Sequence, residues 1–131
     1  MRRANNLQRV TIQNLNRPQA GVIQAVYCAS FLCRLRGLTF RCSLPAGEGL
    51  LLVQERESRM DAAIHMFFVW IDLAVVWIDA AKRVVDVKMA RRWRPFYMPR
   101  GPARYVLELN PECLNNFVVG DLLSIEPLPV P

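Results

Sequence analysis

An apolar stretch of twenty residues, Ala62–Ala81, constrains the fold of this chain more than any other segment. A helix of that length could span a bilayer, but Asp72 would then lie near the midplane, at a cost of about 2.5–3.5 kcal/mol. The stretch is rich in Val, Ile, Phe and Trp, which favour strands. We therefore expect two buried strands, Ile64–Val69 and Leu73–Ile78, and no transmembrane segment.

The rest of the chain consists of short apolar runs separated by turn signals. Further strands are expected at Val10–Leu15, Val22–Ala29, Leu38–Phe40, Gly49–Gln54, Arg83–Met89, Tyr105–Leu109 and Leu122–Glu126. Short helices are expected at Phe31–Arg36, capped by Ser30, and after the Asn110–Pro111 pair, while Glu55–Asp61 reads as a loop. About seven short strands with one or two short helices predict a mainly β fold, at the margin of α+β, of sandwich or barrel type.

Length and composition indicate one self-sufficient domain. A chain of 131 residues with 53% apolar residues can bury a core and is not disordered. We expect a single domain over 1–131, in which residues 1–20 form either a flexible basic segment or an edge strand. Residues 127–131 are a Pro-rich tail that cannot pair as an interior strand. No apolar run follows the basic start, so we expect a cytoplasmic protein. A bacterial source is expected as well.

The cysteine and histidine content argues against a metal centre. The four cysteines are Cys28, Cys33, Cys42 and Cys113. An even number permits disulfides, but a domain of this size folds without them, so reduced and mostly buried thiols are expected. The cysteine spacings match no CxxC pair, and there is one histidine, so we expect neither a metal nor a cofactor.

Four motifs resemble domain-of-unknown-function family 192. Arg36–Arg41 and Leu44–Leu51 are similar to its "RGLMFR…LPxGEGML" signature, and Ile64–Phe68 is similar to its histidine-containing variant of "FWMK". Leu73–Val85 is similar to its "IDVVFLDxxGRVV" hairpin, and Pro102–Leu109 with Gly120-Asp121 to its "PARYVLEL…GD" pattern. The resemblance covers roughly residues 25–126 and implies a compact β-rich domain. It implies almost nothing about activity.

The chain departs from the family pattern at several positions, among them Leu50 at the Met of "GML" and Trp70 at a position that is often basic. Thr39 stands at a family Met, and Asp72 and Ala74 replace the Pro and Asp of the "P-[IL]-D" segment. Any role of that family carboxylate is therefore either lost or moved to Asp72. The motif residues expected to serve the structure are Gly37, Glu48, Gly49, Glu108, Gly120 and Asp121.

Basic residues are concentrated in two segments. The formal charge is +6, residues 1–17 contribute +4, and residues 82–104 hold eight Lys or Arg against one acid, Asp86. Trp93, Phe96 and Tyr97 lie among these cations, a combination that binds phosphate backbones, stacks bases or rests on an anionic membrane surface. The structural alternative is a solvated loop whose aromatic rings close one end of the barrel.

Three functional hypotheses follow. The leading one is a non-catalytic binding or accessory module for a small anionic ligand or an acidic protein surface, with no catalytic residue assigned. Its candidate ligand-binding residues are Arg36, His65, Arg94, Tyr97 and Arg104. The second is nucleic-acid binding through loop 91–104, with candidate residues Arg91, Arg92, Trp93, Arg94 and Tyr97. The third is an enzyme of unknown reaction centred on His65.

Two of these candidates have structural interpretations as well. Arg36 can pair with Glu48 or Glu108 to hold a helix against the sheet, because a buried arginine is normally paired. His65 lies in an apolar run, where a hydrogen-bonded core histidine is the common case.

Overall fold

The structure is a computed structural model that describes residues 8–30, 33–34, 43–66, 68–94 and 96–128. Within these residues seven strands form one sheet: β1 (Arg9–Asn14), β2 (Val22–Cys28), β3 (Glu48–Ser58), β4 (Leu73–Ile78), β5 (Val84–Ala90), β6 (Ala103–Leu109) and β7 (Leu123–Pro127). Two short 3₁₀ helices span Pro18–Ala20 and Pro111–Asn116. The expected mainly β fold is confirmed. The expected strand Leu38–Phe40 lies outside the described residues, as do Arg36 and Gly37.

The sheet closes on itself into a barrel. Its strand order is β5-β4-β6-β3-β2-β1-β7, and all pairs are antiparallel except the parallel pair β2–β3. The two outermost strands of this order approach each other, because Arg83 and Leu122 form a β-bridge. The Val84 N–H also donates to the Asp121 carbonyl at 2.9 Å. A strongly twisted sheet can bring its ends together in this way and so protect its exposed edges.

Alternation along the central strands produces two apolar cores. On β4, Ala74, Val76 and Ile78 point into the barrel, and the intervening residues point outward; all six are buried. All seven strands contribute to the interior cluster, which is completed by Cys113 and Phe117 at the 3₁₀ helix Pro111–Asn116. The outward residues of β3, β4 and β6 belong to a second cluster on the outer face of the sheet. Because these outward residues are buried, a second layer of chain must cover the outer face of the three strands.

Residues 60–66 and 68–71 supply that layer, and the expectation of a strand over Ile64–Val69 is wrong. Within it, Ile64 makes one isolated β-bridge, and Met66 and Val69 are buried in the outer cluster. The indole N–H of Trp77 on β4 donates to the Ala62 carbonyl at 2.7 Å, which fixes the segment to the sheet. The run is apolar because it covers the sheet. Among the described residues, no helix is long and apolar enough to cross a membrane.

Three further expectations about strands are corrected: the extent of β3, the position of β1 in the sheet and the last residue of β7. The charged residues after Gln54 do not begin a loop, because β3 continues through them to Ser58 with exposed side chains. β1 is not an edge strand, because it pairs with both β2 and β7. Pro127 ends β7 and aligns with Val10, which is possible because β7 lies at the end of the strand order.

The expectation of reduced thiols is wrong for one pair, since Cys28 and Cys33 form a disulfide. Cys33 follows Ser30, whose hydroxyl accepts the Cys33 N–H at 3.1 Å, as expected for the cap of a short helix. Cys113 is a buried free thiol, and burial together with the nearby Glu112 raises its pKa. Cys42 lies outside the described residues.

Candidate functional site

The outer layer consists of two segments paired through their backbones. Ile64 and Tyr97 exchange two hydrogen bonds of 2.9 Å each, and the Trp93 N–H donates to the Met66 carbonyl at 3.0 Å. The Met66 N–H donates to the Arg94 carbonyl at 3.3 Å. Ile64 and Met66 are therefore held to Trp93, Arg94 and Tyr97 over the outer face of the sheet.

Three aromatic rings from these segments form an exposed group, which we call the aromatic cluster (Phe68, Trp70 and Trp93). The ring centroid of Trp93 is 5.1 Å from that of Phe68 and 5.1 Å from that of Trp70, with edge-to-face geometry in both cases. Phe68 is 49% exposed, Trp70 46% and Trp93 40%. Exposed apolar rings grouped in this way are typical of interaction sites.

The backbone at two members of the cluster is strained. Phe68 has φ 61° and Trp93 has φ 63°, a left-handed conformation that bulky residues rarely adopt. Such a conformation costs roughly 1–3 kcal/mol and persists where the surrounding contacts impose it. Here the paired backbones of the two segments impose it at Trp93. Both strained residues are thus members of the exposed cluster.

Asp72 anchors the basic loop beside the cluster. Its Oδ1 accepts the Arg92 N–H at 2.8 Å, and its carboxylate lies 3.4 Å from both the Arg91 and the Arg92 guanidinium groups. The Arg92 N–H lowers the pKa of Asp72; burial acts in the opposite direction, and the charges of Arg92 and Arg91 lower the pKa further. One carboxylate thus faces two guanidinium groups, which leaves a net positive charge.

A cleft of about 420 Å³ opens next to this anchor. It lies where β3 and β4 begin and β6 ends. Its lining residues are Ser43, Leu44, Pro45, Ile71, Asp72, Arg92, Asn110 and Pro111. The Asn110 amide donates to the Leu44 carbonyl at 2.8 Å and its Oδ1 accepts the Glu112 N–H, so the expected helix cap at Asn110 is confirmed.

Glu108 lies on the outer face of β6, where its neighbours on the paired strands belong to the outer cluster. It is 5% exposed, and its Oε1 has no hydrogen-bond partner within the described part of the chain. Its cross-strand neighbours are Leu50 and Val75, both apolar. Burial raises the pKa of Glu108 to about 7. Arg36, expected as its partner, lies outside the described residues, and Glu48 is exposed.

The structure brings together most of the expected basic and aromatic residues. The Tyr97 hydroxyl accepts the Arg91 N–H at 2.8 Å, and the Arg94 guanidinium lies 5.8 Å from the Tyr97 ring centroid. His65 lies in the paired segment between Ile64 and Met66, but it is exposed, so the expectation of a core histidine is wrong.

Arg104 belongs to a different part of the sheet. Its Nε donates to the Gln54 carbonyl at 2.8 Å, and its guanidinium lies 6.0 Å from the Tyr105 ring. A catalytic role for His65 stays a prediction. Over residues 8–30, 33–34, 43–66, 68–94 and 96–128 no group of three His, Cys, Asp or Glu could hold a metal.

Several other cations of the basic stretch support the fold. Lys88 and Arg100 lie 3.6 and 3.7 Å from the buried Asp86 carboxylate, and Lys88 also donates to the Met98 carbonyl. Arg83 donates to the Gly120 carbonyl at 3.0 Å. The cations that flank the aromatic cluster are Arg91, Arg92 and Arg94. The charge of this stretch is thus divided between structural contacts and the exposed face.

The sequence analysis missed Phe68 and Trp70 as surface residues and missed the cleft. One signal was available for the rings: Phe67, Phe68 and Trp70 are too closely spaced for all of them to face one core. For the cleft, the helix start at Asn110 was expected, but nothing local indicated that it meets the chain around Pro45.

Comparison with known proteins matches this chain to the same uncharacterised family that its motifs resemble. The DUF192 family model, described as "Uncharacterized ACR, COG1430", matches residues 12–125. A UPF0127 protein of Thermococcus gammatolerans is 42% identical over 97 residues, which are 72% of this chain and 61% of the relative. One of Thermococcus kodakarensis is 39% identical over 100 residues, 75% of this chain and 62% of the relative. This chain thus spans about three fifths of the length of these relatives. They are archaeal, so the expectation of a specifically bacterial protein is wrong.

Two crystal structures share the fold at low sequence identity. A protein of Sinorhizobium meliloti, named as a candidate transcription regulator, has a TM-score of 0.77 and 19% identity over 90% of this chain and 92% of its own. A protein of unknown function from Novosphingobium aromaticivorans has a TM-score of 0.72 and 19% identity over 88% and 83%. With the family model covering nearly the whole sheet and the relatives sharing about two fifths of their aligned residues, this chain belongs to the DUF192 family.

Proposed function

We propose that this protein is a non-catalytic binding module that holds a small anionic ligand on the face formed by the cleft and the aromatic cluster. One observation carries the proposal: Arg92, which lines the cleft, is followed directly by Trp93, the central ring of the cluster. A guanidinium group binds a carboxylate or phosphate through charge-assisted hydrogen bonds. The adjacent rings offer apolar contact to the rest of the ligand.

The size and lining of the cleft support a small ligand. A volume of about 420 Å³ lies within the range of roughly 300–1,000 Å³ that is usual for ligand pockets. Leu44, Ile71 and the two prolines supply apolar walls, and the polar lining residues are Ser43, Asp72, Arg92 and Asn110. A largely apolar pocket with a few directed polar groups is the common pattern for such sites.

The local charge supports an anionic ligand. Asp72 neutralises part of the charge of Arg91 and Arg92, and both guanidinium groups are more than half exposed. An anion can therefore reach the Arg92 guanidinium group directly from solvent. Because the anchor fixes the Arg92 backbone, the ligand meets a side chain whose base is already positioned.

Tryptophan fluorescence tests the proposal directly. Two of the three tryptophans lie in the aromatic cluster, and the third, Trp77, is buried. We expect phenyl phosphate or phenylacetate to change the emission saturably and neutral benzyl alcohol to bind far more weakly. Arg92→Gln should weaken anion binding about tenfold or more, as expected for loss of a charge-assisted hydrogen bond.

The matched control is Arg56→Gln, because Arg56 is an exposed arginine in a surface ion pair with Asp61. It should leave the affinity unchanged. Absence of saturable binding by either anion, or an equal effect of the two arginine variants, would overturn the proposal.

A larger anionic partner is the second candidate for the same face. Single-stranded nucleic acid is favoured by the position of Arg91, Arg92 and Arg94 around the exposed Trp93 ring, since cations bind phosphates and rings stack on bases. Three phosphate contacts predict that log affinity falls with log salt at a slope of about −2. Trp93→Ala should weaken binding by about tenfold. No gel shift with single-stranded DNA or RNA at low salt would exclude this candidate, and binding of an acidic protein instead would show that the partner is larger than the cleft.

A further inference from the structure

Two neighbouring turns of the outer layer expose an aromatic ring at a position where a turn ordinarily carries a small or polar residue. The Val69 N–H donates to the Met66 carbonyl at 3.2 Å, and Phe68 lies within the turn that this bond closes. Turn 91–94 closes in the same way, also at 3.2 Å, and contains Trp93. Both rings belong to residues with positive φ, a conformation that usually selects Gly or Asn at the third position of a turn. The fold therefore accepts an unfavourable backbone at both turns and exposes an apolar ring at each.

Further rings enlarge this apolar face. Trp70 packs edge to face on Trp93 and is exposed as well. Phe96 precedes Tyr97, which packs against the outer cluster, while the Phe96 side chain is exposed and so faces away from the sheet. Exposed apolar area that is grouped at one place marks a surface that binds a protein or a membrane. The face thus requires a partner that accepts several rings at once.

The exposed side of the outer layer is also basic. The sequence contains no acidic residue from 62 to 71 or from 87 to 107. Turn 91–94 contains three arginines, and all of them are exposed. The carboxylate beside them is that of Asp72, which is largely covered and faces two of the guanidinium groups. The face therefore keeps a net positive charge next to its rings.

We infer that this face docks on the surface of an anionic bilayer, with the rings of the two turns among the lipid headgroups and the arginines on the lipid phosphates. Tryptophan favours this interfacial region because its ring is apolar and its N–H is polar. An anionic surface attracts each nearby arginine, which adds to the affinity that the rings supply. Docking needs no ligand in the cleft, so the inference goes beyond the proposed function.

The packing of the rings favours a bilayer over a nucleic acid. A base stacks on the open face of a ring, but Trp93 packs against both Phe68 and Trp70. A bilayer interface requires only exposed apolar area beside cations, and this face supplies both. The bilayer is therefore the partner whose chemistry fits the surface.

Vesicles test the inference by co-sedimentation and by tryptophan emission. The anionic vesicles contain phosphatidylglycerol and phosphatidylcholine in equal parts, and the neutral vesicles contain phosphatidylcholine alone. We expect the protein to bind the anionic vesicles, more weakly as salt is added, and to bind the neutral ones far less. The emission of Trp70 and Trp93 should shift to shorter wavelength, and lipids brominated along the acyl chain should quench it, while the buried Trp77 gives a constant background.

Glycine variants at the two turns separate docking from folding. Phe68→Gly and Trp93→Gly each remove a ring and provide a residue that adopts positive φ readily, so urea unfolding should show a folded protein. Each should weaken binding to the anionic vesicles by about tenfold. Arg94→Gln should weaken it by about fivefold. Leu15→Ala is the control, because Leu15 is an exposed apolar residue outside the outer layer, and it should leave binding unchanged.

Several outcomes would overturn the inference. One is absence of binding to the anionic vesicles, or equal binding to both kinds of vesicle. Others are ring variants that bind as Leu15→Ala does, and release of the bound protein by soluble glycerol 3-phosphate, which would place the lipid phosphate in the cleft. If single-stranded DNA binds where vesicles do not, the face is a nucleic-acid surface and the inference is wrong. The soluble anions that test the proposed function involve no bilayer, so each proposal can fail while the other stands.

Discussion

The side-chain amide of Asn14 donates a 2.8 Å hydrogen bond to Oδ2 of Asp121, joining the end of β1 to the turn before β7. The same oxygen accepts the Val118 N–H at 2.9 Å and the Arg17 Nε at 3.1 Å. The Asp121 carbonyl accepts the Val84 N–H. One aspartate thus connects β1, β5 and β7 at the point where the barrel closes.

Removal of this carboxylate should weaken the closure of the barrel. Asp121→Ala is expected to lower the free energy of unfolding by on the order of 3 kcal/mol, because the buried Asn14 amide and two partly buried donors lose their acceptor. Urea unfolding measures the change. Asp61→Ala is the control, since Asp61 makes an exposed ion pair with Arg56 that contributes little. A loss at Asp121 no larger than that at Asp61 would contradict the role assigned to the closure.

Glu108 should make the protein less stable as the pH rises. Its pKa is raised from 4.5 to about 7 by burial, so the folded state holds the proton more tightly than the unfolded state does. The stabilisation is complete below the unfolded pKa and is lost as the pH rises through the folded pKa. The loss amounts to on the order of 3 kcal/mol.

The measurement is urea unfolding of the protein and of Glu108→Gln at about pH 5 and about pH 8, on either side of the transition. The variant should lose most of the difference between the two pH values. Glu112→Gln, at an exposed position in the neighbouring 3₁₀ helix, should retain it. A pH dependence that is unchanged in Glu108→Gln would show that other groups cause it.

Gly49 should tolerate no side chain. A Cβ at this position would lie 2.7 Å from Leu109 Cδ2 and 3.1 Å from the Glu108 carbonyl oxygen on the paired strand β6. Gly49→Ala is expected to destabilise the fold by about 1–3 kcal/mol through overpacking. Gly47→Ala is the matched control, because a Cβ there would meet no atom within 4 Å. Similar unfolding midpoints for the two variants would argue against close packing of β3 on β6.

The Cys28–Cys33 disulfide should be detectable in the purified protein. Both cysteines fall on one tryptic peptide, since Arg17 precedes Pro18 and the next basic residues are Arg34 and Arg36. Without reductant this peptide should be lighter by two hydrogen atoms than with reductant. Cys33→Ser should cost about 2 kcal/mol, the value expected for a bond that closes a loop of this length. A peptide of equal mass under both conditions would contradict the pairing.

Strand patterns were largely predictable because each strand carries its own signal. Leu73–Ile78 was expected as a strand with its exact bounds, since a short run of Val, Ile and Trp between turns is typical of a strand buried on both faces. Asp79 follows this strand, and its Oδ1 accepts the Ala81 and Arg83 N–H groups, which are contacts within a local turn. These features depend on neighbouring residues alone.

The covering segment and the site could not be predicted in this way, because they depend on contacts between residues that are far apart in the chain. Ile64 and Met66 are apolar because they lie on the outer face of the sheet, and a covering segment has the same composition as a strand. The cleft depends on Pro45, Asp72 and Asn110, which are far apart in sequence and meet through strand pairing. The pairing of Arg92 with Asp72 is a contact of this long-range kind as well.

The alignment of Val10 with Pro127 also bears on whether the chain can be circularly permuted. The first and last strands run side by side, so a short peptide could join their outer ends without crossing the barrel. A new start could then be opened at Ala80-Ala81, an exposed turn between β4 and β5. Such a circularly permuted protein would contain every strand pair of the present sheet, because the order of the strands in the sheet does not depend on which residue begins the chain.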